Sequence, residues 1–148
     1  MYRGIKEDPL FIQFSKAEKE RVQTLISNIS TITTPKKLWN ISNYAWTVLG
    51  DDQDAFNKEE YYDISRKIMG AQSDFIINNT KSFIQYEYTK LKPNYPHSNT
   101  QELIFYFEHI LEFNNTEINP EEEKIIQDKI KTLEEINTRI ETLKQKKQ

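Results

Sequence analysis

A helix drawn through residues 100–113, TQELIFYFEHILEF, is apolar on nearly all of its sides, with Thr100 as its expected cap. Its main stripe repeats at the helical spacing of three and four residues and consists of Leu103, Ile104, Phe107, Ile110 and Leu111. Three more aromatic residues cover most of the remaining surface, namely Phe105, Tyr106 and Phe113. Because a helix of this kind is normally buried among others, the segment predicts an all-α bundle with this helix at its centre.

The segments before and after this helix predict further helices with marked ends. Thr34-Pro35 starts one that reaches Gly50, because proline fits the first turn of a helix and glycine its end. Asn119-Pro120 starts a long C-terminal helix at about residues 120–147, with glutamates in its first turn and lysines in its last. No β-branched alternation bounded by hairpin turns occurs, so we expect four to six helices and little or no sheet.

Two further helix boundaries are expected near Ser15 and Gly70. Ser15-Lys16-Ala17-Glu18 has the pattern of a capping box and predicts a helix start there. Residues 1–14 are expected to be loosely ordered, with a short helix opened by Asp8 and Pro9 as the alternative. Between residues 58 and 91 the apolar period continues across Gly70, so one long helix competes with two shorter ones. We expect one long helix with a kink or short break at Gly70, because glycine has a poor helix propensity.

The whole chain has the composition of one folded domain. With 148 residues, of which 36% are hydrophobic, it can bury a sizeable core, and we predict a single helical domain over residues 1–148. A net charge of -3 and a pI near 5.5 give no electrostatic reason to bind nucleic acid or an anionic membrane. No apolar run approaches the roughly 18 residues of a membrane helix, and no signal peptide is recognisable, so we expect a soluble, cytoplasmic protein.

Residue usage bears on the origin of the gene. Isoleucine, lysine and asparagine are abundant, whereas alanine and arginine are scarce. Such a skew is common in AT-rich genomes, among them those of low-GC bacteria, their phages and many viruses. We therefore hypothesise an origin in a phage or another mobile element, in which case the protein acts in the host cytoplasm.

The chain is poor in the residue types on which recognisable catalytic and metal sites depend. It has no cysteine, two histidines and three glycines, the residues that supply thiolates, proton relays, metal ligands and phosphate-binding loops. His109 has no serine, cysteine or second histidine at a readable spacing, and His97, between Pro96 and Ser98, is expected in a solvated loop. We therefore expect no enzymatic activity, no cofactor and no metal, although a carboxylate-based enzyme leaves no spacing signature and is not excluded.

Residues 51–63 form a strongly acidic segment. Lys58 is its one basic residue, and its six carboxylates belong to Asp51, Asp52, Asp54, Glu59, Glu60 and Asp63. The calcium-loop pattern of an EF-hand fails here, because its fifth and sixth positions are Phe56 and Asn57 instead of an oxygen ligand and glycine. Asn57 is the expected cap of the following helix, and the carboxylates can steer a basic protein partner.

Pairs of large aromatic residues stand near this segment. Trp39 and Trp46 are seven residues apart and stack on one side of the second helix, about 120° from its apolar stripe. Such a pair is either a second core contact or an exposed anchor for a partner. Tyr61 and Tyr62 are adjacent, so they cannot both face one core, and at least one of them is expected at the surface.

These observations favour a non-enzymatic protein-binding protein, namely a regulator, an inhibitor or an assembly subunit that acts through an aromatic and acidic helical surface. Its candidate residues are Trp39, Trp46, Asp51, Asp52, Asp54, Glu59, Glu60, Tyr62 and Asp63. The alternative is a nucleic-acid-associated helical regulator, against which the acidic balance argues. The last four apolar positions of the C-terminal helix fit two heptads, so self-association through this helix is an alternative to packing within the bundle.

Overall fold

The computed structural model describes residues 9–51, 55–90, 99–113 and 118–147, and 92% of them are helical. No strand occurs in these four ranges, so the predicted all-α fold class is confirmed. The helices in chain order are α1 (Pro9–Ser27), a short 3-10 helix (Ile29–Thr31), α2 (Pro35–Asp51), α3 (Lys58–Asn78), α4 (Thr80–Lys90), α5 (Asn99–Phe113) and α6 (Pro120–Lys147).

The chain forms two compact units, Met1–Ala71 and Gln72–Gln148. The boundary between them lies within α3, directly after Ala71. The expectation of a single domain stays a prediction.

Helix α1 begins earlier than its capping pattern predicts. Its first residue is Pro9, and the helix continues through Ser15 without interruption, so the expected start at Ser15 is wrong. The Ser15 side chain is buried within the helix, and its hydroxyl has no hydrogen-bond partner among the described residues. The reason is that proline, which tolerates the first helical turn, already starts the helix upstream. Residues 9–14, expected to be loosely ordered, are therefore helical, while residues 1–8 lie outside the described ranges.

Helix α2 starts at the proline that predicts it and packs against α1. Pro35 is its first residue, and Gly50 stands next to its last residue, Asp51. The buried apolar side chains of these two helices form the core between them and are Val22, Ile26, Leu38, Trp39, Ala45, Val48 and Leu49. These buried side chains make up the faces with which α1 and α2 pack in the first unit.

The long helical region of residues 58–90 is interrupted at Asn79, and the expected break at Gly70 is wrong. Helix α3 runs through Gly70 and ends at Asn78, and α4 begins at Thr80. The Thr80 hydroxyl donates towards the carbonyls of Ile76, at 2.9 Å, and Ile77, at 3.0 Å. A threonine side chain that bonds the preceding turn in this way competes with regular helical hydrogen bonding, whereas a glycine in a helix interior only weakens the helix.

The second unit is built around α6, against which both α4 and α5 pack. Its core includes one face of α5 and one face of α6, with the buried residues Thr100, Leu103, Ile104, Phe107, Leu133, Ile136 and Ile140. Lys129 of α6 reaches across this contact, with its ammonium 5.6 Å from the Phe107 ring centroid and 3.1 Å from the Asp74 carboxylate. The heptad stripe that suggested self-association is therefore largely covered within its own unit.

The starts of α5 and α6 differ in how their first amides are bonded. Helix α5 begins at Asn99, whose amide donates to the buried carboxylate of Glu87 at 3.1 Å, and the hydroxyl of the expected cap Thr100 has no partner among the described residues. Helix α6 has a side-chain cap, because Asn119 Oδ1 accepts from the Glu122 amide at 2.8 Å. The carboxylate of Glu87, which bonds the start of α5 where a Thr100 cap was expected, belongs to α4. A pattern of neighbouring residues in the sequence cannot show such a contact.

Candidate protein-binding surface

The first turn of α3 is fixed by a reciprocal capping box between Asn57 and Glu60. The Glu60 amide donates to Asn57 Oδ1 at 2.8 Å, and the Asn57 amide donates to Glu60 Oε1 at 3.0 Å. Two amides of the helix start are thereby bonded, and the carboxylate lies where the helix dipole favours a negative charge. The predicted cap at Asn57 is confirmed.

The same glutamate also connects α3 to α1. Lys19 Nζ lies 2.8 Å from each carboxylate oxygen of Glu60, and Gln23 Nε2 donates to its Oε2 at 3.2 Å. The Asn57 amide first, and then the Lys19 ammonium, hold the pKa of the Glu60 carboxyl below its ordinary value. The candidate binding residue Glu60 therefore holds the helix start in place within its own unit.

Two tyrosine rings stand exposed beside this capping box. Tyr61 and Tyr62 are 40% and 52% exposed, and their rings meet edge to face with centroids 6.0 Å apart. Lys58 Nζ lies 5.8 Å from the centroid of the Tyr62 ring. The expectation that at least one of the two tyrosines lies at the surface is confirmed, and both do.

Two of the candidate carboxylates flank these rings. Glu59 is exposed, and Asp63 is exposed with Lys67 Nζ 3.0 Å from its carboxylate. We call the four side chains Glu59, Tyr61, Tyr62 and Asp63 the α3 N-terminal surface. Sequence reasoning left Tyr61 out because it fits the helical period of the buried Ile64 and Ile68.

The remaining candidate residues lie at other places. Trp39 is buried, with 5% of its surface exposed, and Trp46 is half-buried, so burial favours the core alternative for Trp39. Asp51 is exposed at the last residue of α2, whereas Asp52 and Asp54 lie outside the described residues. A carboxylate at the C-terminus of a helix opposes the helix dipole, so Asp51 does not stabilise α2.

A small cleft lies next to the capping box, between α1 and α3. It has a volume of about 70 Å³ and is lined by Gln23, Ile26, Glu60, Asp63, Ile64 and Lys67. Pockets for drug-sized molecules have volumes of about 300–1,000 Å³, so this cleft does not hold such a ligand. Within the described ranges, no three histidine or acidic side chains are grouped as ligands for a metal ion.

No helix in the described part of the chain has both the length and the apolar character needed to cross a bilayer. Comparison with protein-family models, curated proteins and solved structures finds no match to this chain.

Proposed function

We propose that this chain is a non-enzymatic protein-binding module that acts as a regulator, an inhibitor or an assembly subunit. It contacts a basic protein partner through the α3 N-terminal surface. The observation that carries this proposal is the exposure of two adjacent aromatic rings, Tyr61 and Tyr62, between exposed carboxylates.

Tyrosine is suited to such a contact because it combines a large apolar ring with a polar hydroxyl and few rotatable bonds. Tyrosines are also enriched among the residues that contribute most to binding at protein interfaces. The ring edge of one tyrosine already contacts the other, and the capping box with Lys19 fixes the helix turn that carries both. A partner would therefore meet a surface that loses little conformational freedom on binding.

The carboxylates around the rings support a basic partner. Glu59 and Asp63 flank the tyrosines, Asp63 with Lys67 Nζ 3.0 Å away, and Asp51 carries a further exposed charge at the end of α2. Exposed charges at the rim of an interface mainly raise the association rate and make it sensitive to salt. Because Asp51 opposes the dipole of its own helix, its charge is better explained by binding than by stability.

Affinity capture from a lysate of the source organism tests this proposal. The tagged chain is compared with a Tyr61→Ala/Tyr62→Ala variant and with Tyr88→Ala, which removes an exposed tyrosine from α4 instead. We expect one protein to be recovered with the unchanged chain and with Tyr88→Ala, and to be lost with the double variant while its thermal melt stays unchanged.

Two outcomes would contradict the proposal. Equal recovery of the same protein with the double variant would place the contact elsewhere on the chain. If nucleic acid stays bound during washing and no specific protein is recovered, the result would favour the nucleic-acid-associated alternative. A direct measurement completes the test: Asp51→Asn should slow association with the recovered protein, and the difference from the unchanged chain should shrink as salt is raised.

A further inference from the structure

Helix α5 carries a row of aromatic side chains on the side opposite its buried face. Phe105 and Phe113 are 49% and 64% exposed, and His109 is exposed between them. At about 100° per residue, these three positions fall within about 80° of one another around the helix. Phe107 and Leu103, which are buried, lie on the other side. The expectation that neighbouring helices cover α5 on all sides is therefore not met for Phe105 and Phe113.

The row has the spacing of a helix-binding surface. Its members follow at intervals of four residues, so Phe105 and Phe113 are separated by about 12 Å along the helix axis. The rings of His109 and Phe113 lie against each other, with centroids 4.4 Å apart and a tilt of 39° between their planes. One aromatic side chain per turn matches the anchors with which an amphipathic helix docks against a complementary face.

The lysine-free and arginine-free helix α5 carries three exposed acidic side chains beside this row. Glu102, Glu108 and Glu112 are exposed on α5, and the segment Asn99–Phe113 contains no lysine and no arginine. We call the set Glu102, Phe105, Glu108, His109, Glu112 and Phe113 the α5 outer face. A second copy of the same face would bring three glutamates against three glutamates, and an anionic membrane or a nucleic acid would also be repelled. Charge complementarity therefore favours a partner that carries positive charges and apolar side chains that pack against the aromatic row.

We propose that the α5 outer face docks a lysine- or arginine-rich amphipathic helix of another protein. The apolar side chains of that helix pack against Phe105 and Phe113, and its basic side chains pair with the flanking glutamates. This site shares no residue with the α3 N-terminal surface, and the proposal does not depend on that surface.

A synthetic helical peptide tests this proposal directly. The probe has about four turns, with leucines on one face at intervals of three and four residues and lysines on the other, and carries a fluorescent label. A second peptide has glutamate in place of every lysine. We expect the lysine peptide to bind the full chain in a fluorescence anisotropy titration, and the glutamate peptide not to bind.

Variants of the chain assign the binding to this face. Phe105→Ala/Phe113→Ala should weaken binding about tenfold or more, because aromatic anchors at the centre of an interface carry much of its affinity. Leu10→Ala removes an exposed apolar side chain of the other unit and should leave the affinity unchanged. Replacing Glu102, Glu108 and Glu112 together by glutamine should also weaken binding and remove most of its salt dependence.

Four results would overturn the inference. The first is that the lysine peptide does not bind the unchanged chain, and the second is that it binds the phenylalanine double variant as tightly as the unchanged chain. Loss of peptide binding in Tyr61→Ala/Tyr62→Ala, with binding kept in the phenylalanine variant, would place the peptide on the α3 N-terminal surface instead. A dimer in analytical ultracentrifugation that Phe105→Ala/Phe113→Ala converts to a monomer would identify a second copy as the occupant. Circular dichroism of every variant confirms that each remains folded.

Discussion

The first turn of α3 and the inner face of α5 both hold a helix in its unit, but they do so with different contacts. At α3 the contacts are polar, because Glu60 bonds the Asn57 amide and the Lys19 ammonium at the protein surface. At α5 they are apolar, because Leu103 and Phe107 are buried in the contact with α6. Exposed polar contacts stabilise by about 1 kcal/mol or less each, whereas a fully buried apolar side chain contributes about 1.5–3 kcal/mol.

This difference indicates where the chain tolerates substitutions. The apolar contact contributes more to the free energy of unfolding than the polar contact, which mainly fixes the geometry of a surface. Both proposed binding surfaces lie on the outer sides of such contacts, so their exposed rings can be replaced with little loss of stability. The following predictions test this division, beginning with the largest effect.

Replacing a buried phenylalanine of α5 should be far more damaging than replacing an exposed one on the same helix. Phe107→Ala should lower the free energy of unfolding by about 3–5 kcal/mol, because it removes a buried ring and leaves a cavity. That is a large share of a total of about 5–15 kcal/mol. Phe113→Ala is the matched control and should change it by about 0.5 kcal/mol or less. If both variants lost the same free energy of unfolding in urea denaturation, Phe107 would not be buried more deeply than Phe113, and the prediction would be wrong.

Removing the cap of α3 should have an intermediate effect. Asn57→Ala takes away the side-chain acceptor of the Glu60 amide and should lower the free energy of unfolding by about 0.5–2 kcal/mol. Asn119→Ala removes the corresponding bond at the start of α6 and should cost a similar amount. Urea denaturation measures both changes. If either variant lost as much free energy of unfolding as Phe107→Ala, the polar contacts would stabilise the chain as strongly as the buried apolar ones, which would contradict the comparison.

The interior of α3 offers a small gain. Gly70→Ala should raise the free energy of unfolding by about 0.5–1 kcal/mol, because alanine has the better helix propensity and a Cβ there would meet no atom within 4 Å. Gly50→Ala has equally open space but stands one residue from the end of α2, so its gain should be smaller. A loss of stability in Gly70→Ala, measured by thermal melting, would indicate that the helix bends at Gly70 after all.

The smallest effect is the dependence of stability on pH at Glu60. Its pKa is lower in the folded chain than its ordinary value, so folding favours the ionised carboxylate. This contribution is fully present above the ordinary pKa of glutamate and is lost as the pH falls through the lowered pKa of the folded state. Glu60→Gln should therefore be less stable than the parent at neutral pH, and the difference should narrow in acid. A difference that is constant between neutral and acidic pH would contradict this assignment.

Sequence patterns predicted those features that depend on a few neighbouring residues. Pro35 and Pro120 start helices where expected, and Asn57 caps α3, because each acts on its own helix turn. The break at Asn79 was not predictable in this way. Helix propensity alone favours a break at Gly70, and the sequence does not show that the Thr80 hydroxyl bonds the carbonyls of two preceding residues.

The candidate sites were predictable to a different extent. The acidic and aromatic character of the α3 start follows from the sequence, but the use of Glu60 by Lys19 depends on how α1 and α3 lie together. The α5 outer face was missed because Phe105 and Phe113 were assigned to a buried helix. Hydrophobicity shows which side chains can be buried, whereas the number of neighbouring helices decides which of them are.

The hydrogen bond between Glu87 and Asn99 has a consequence for engineering the chain. It joins two residues that are 12 positions apart in the sequence, one in α4 and the other at the start of α5. The ends of the intervening segment are therefore held by contacts of the helices themselves. The entropy lost on closing a loop grows slowly, by about 0.6 kcal/mol for each doubling of its length. An epitope or a reporter peptide inserted into residues 91–98 should accordingly leave both helices in place.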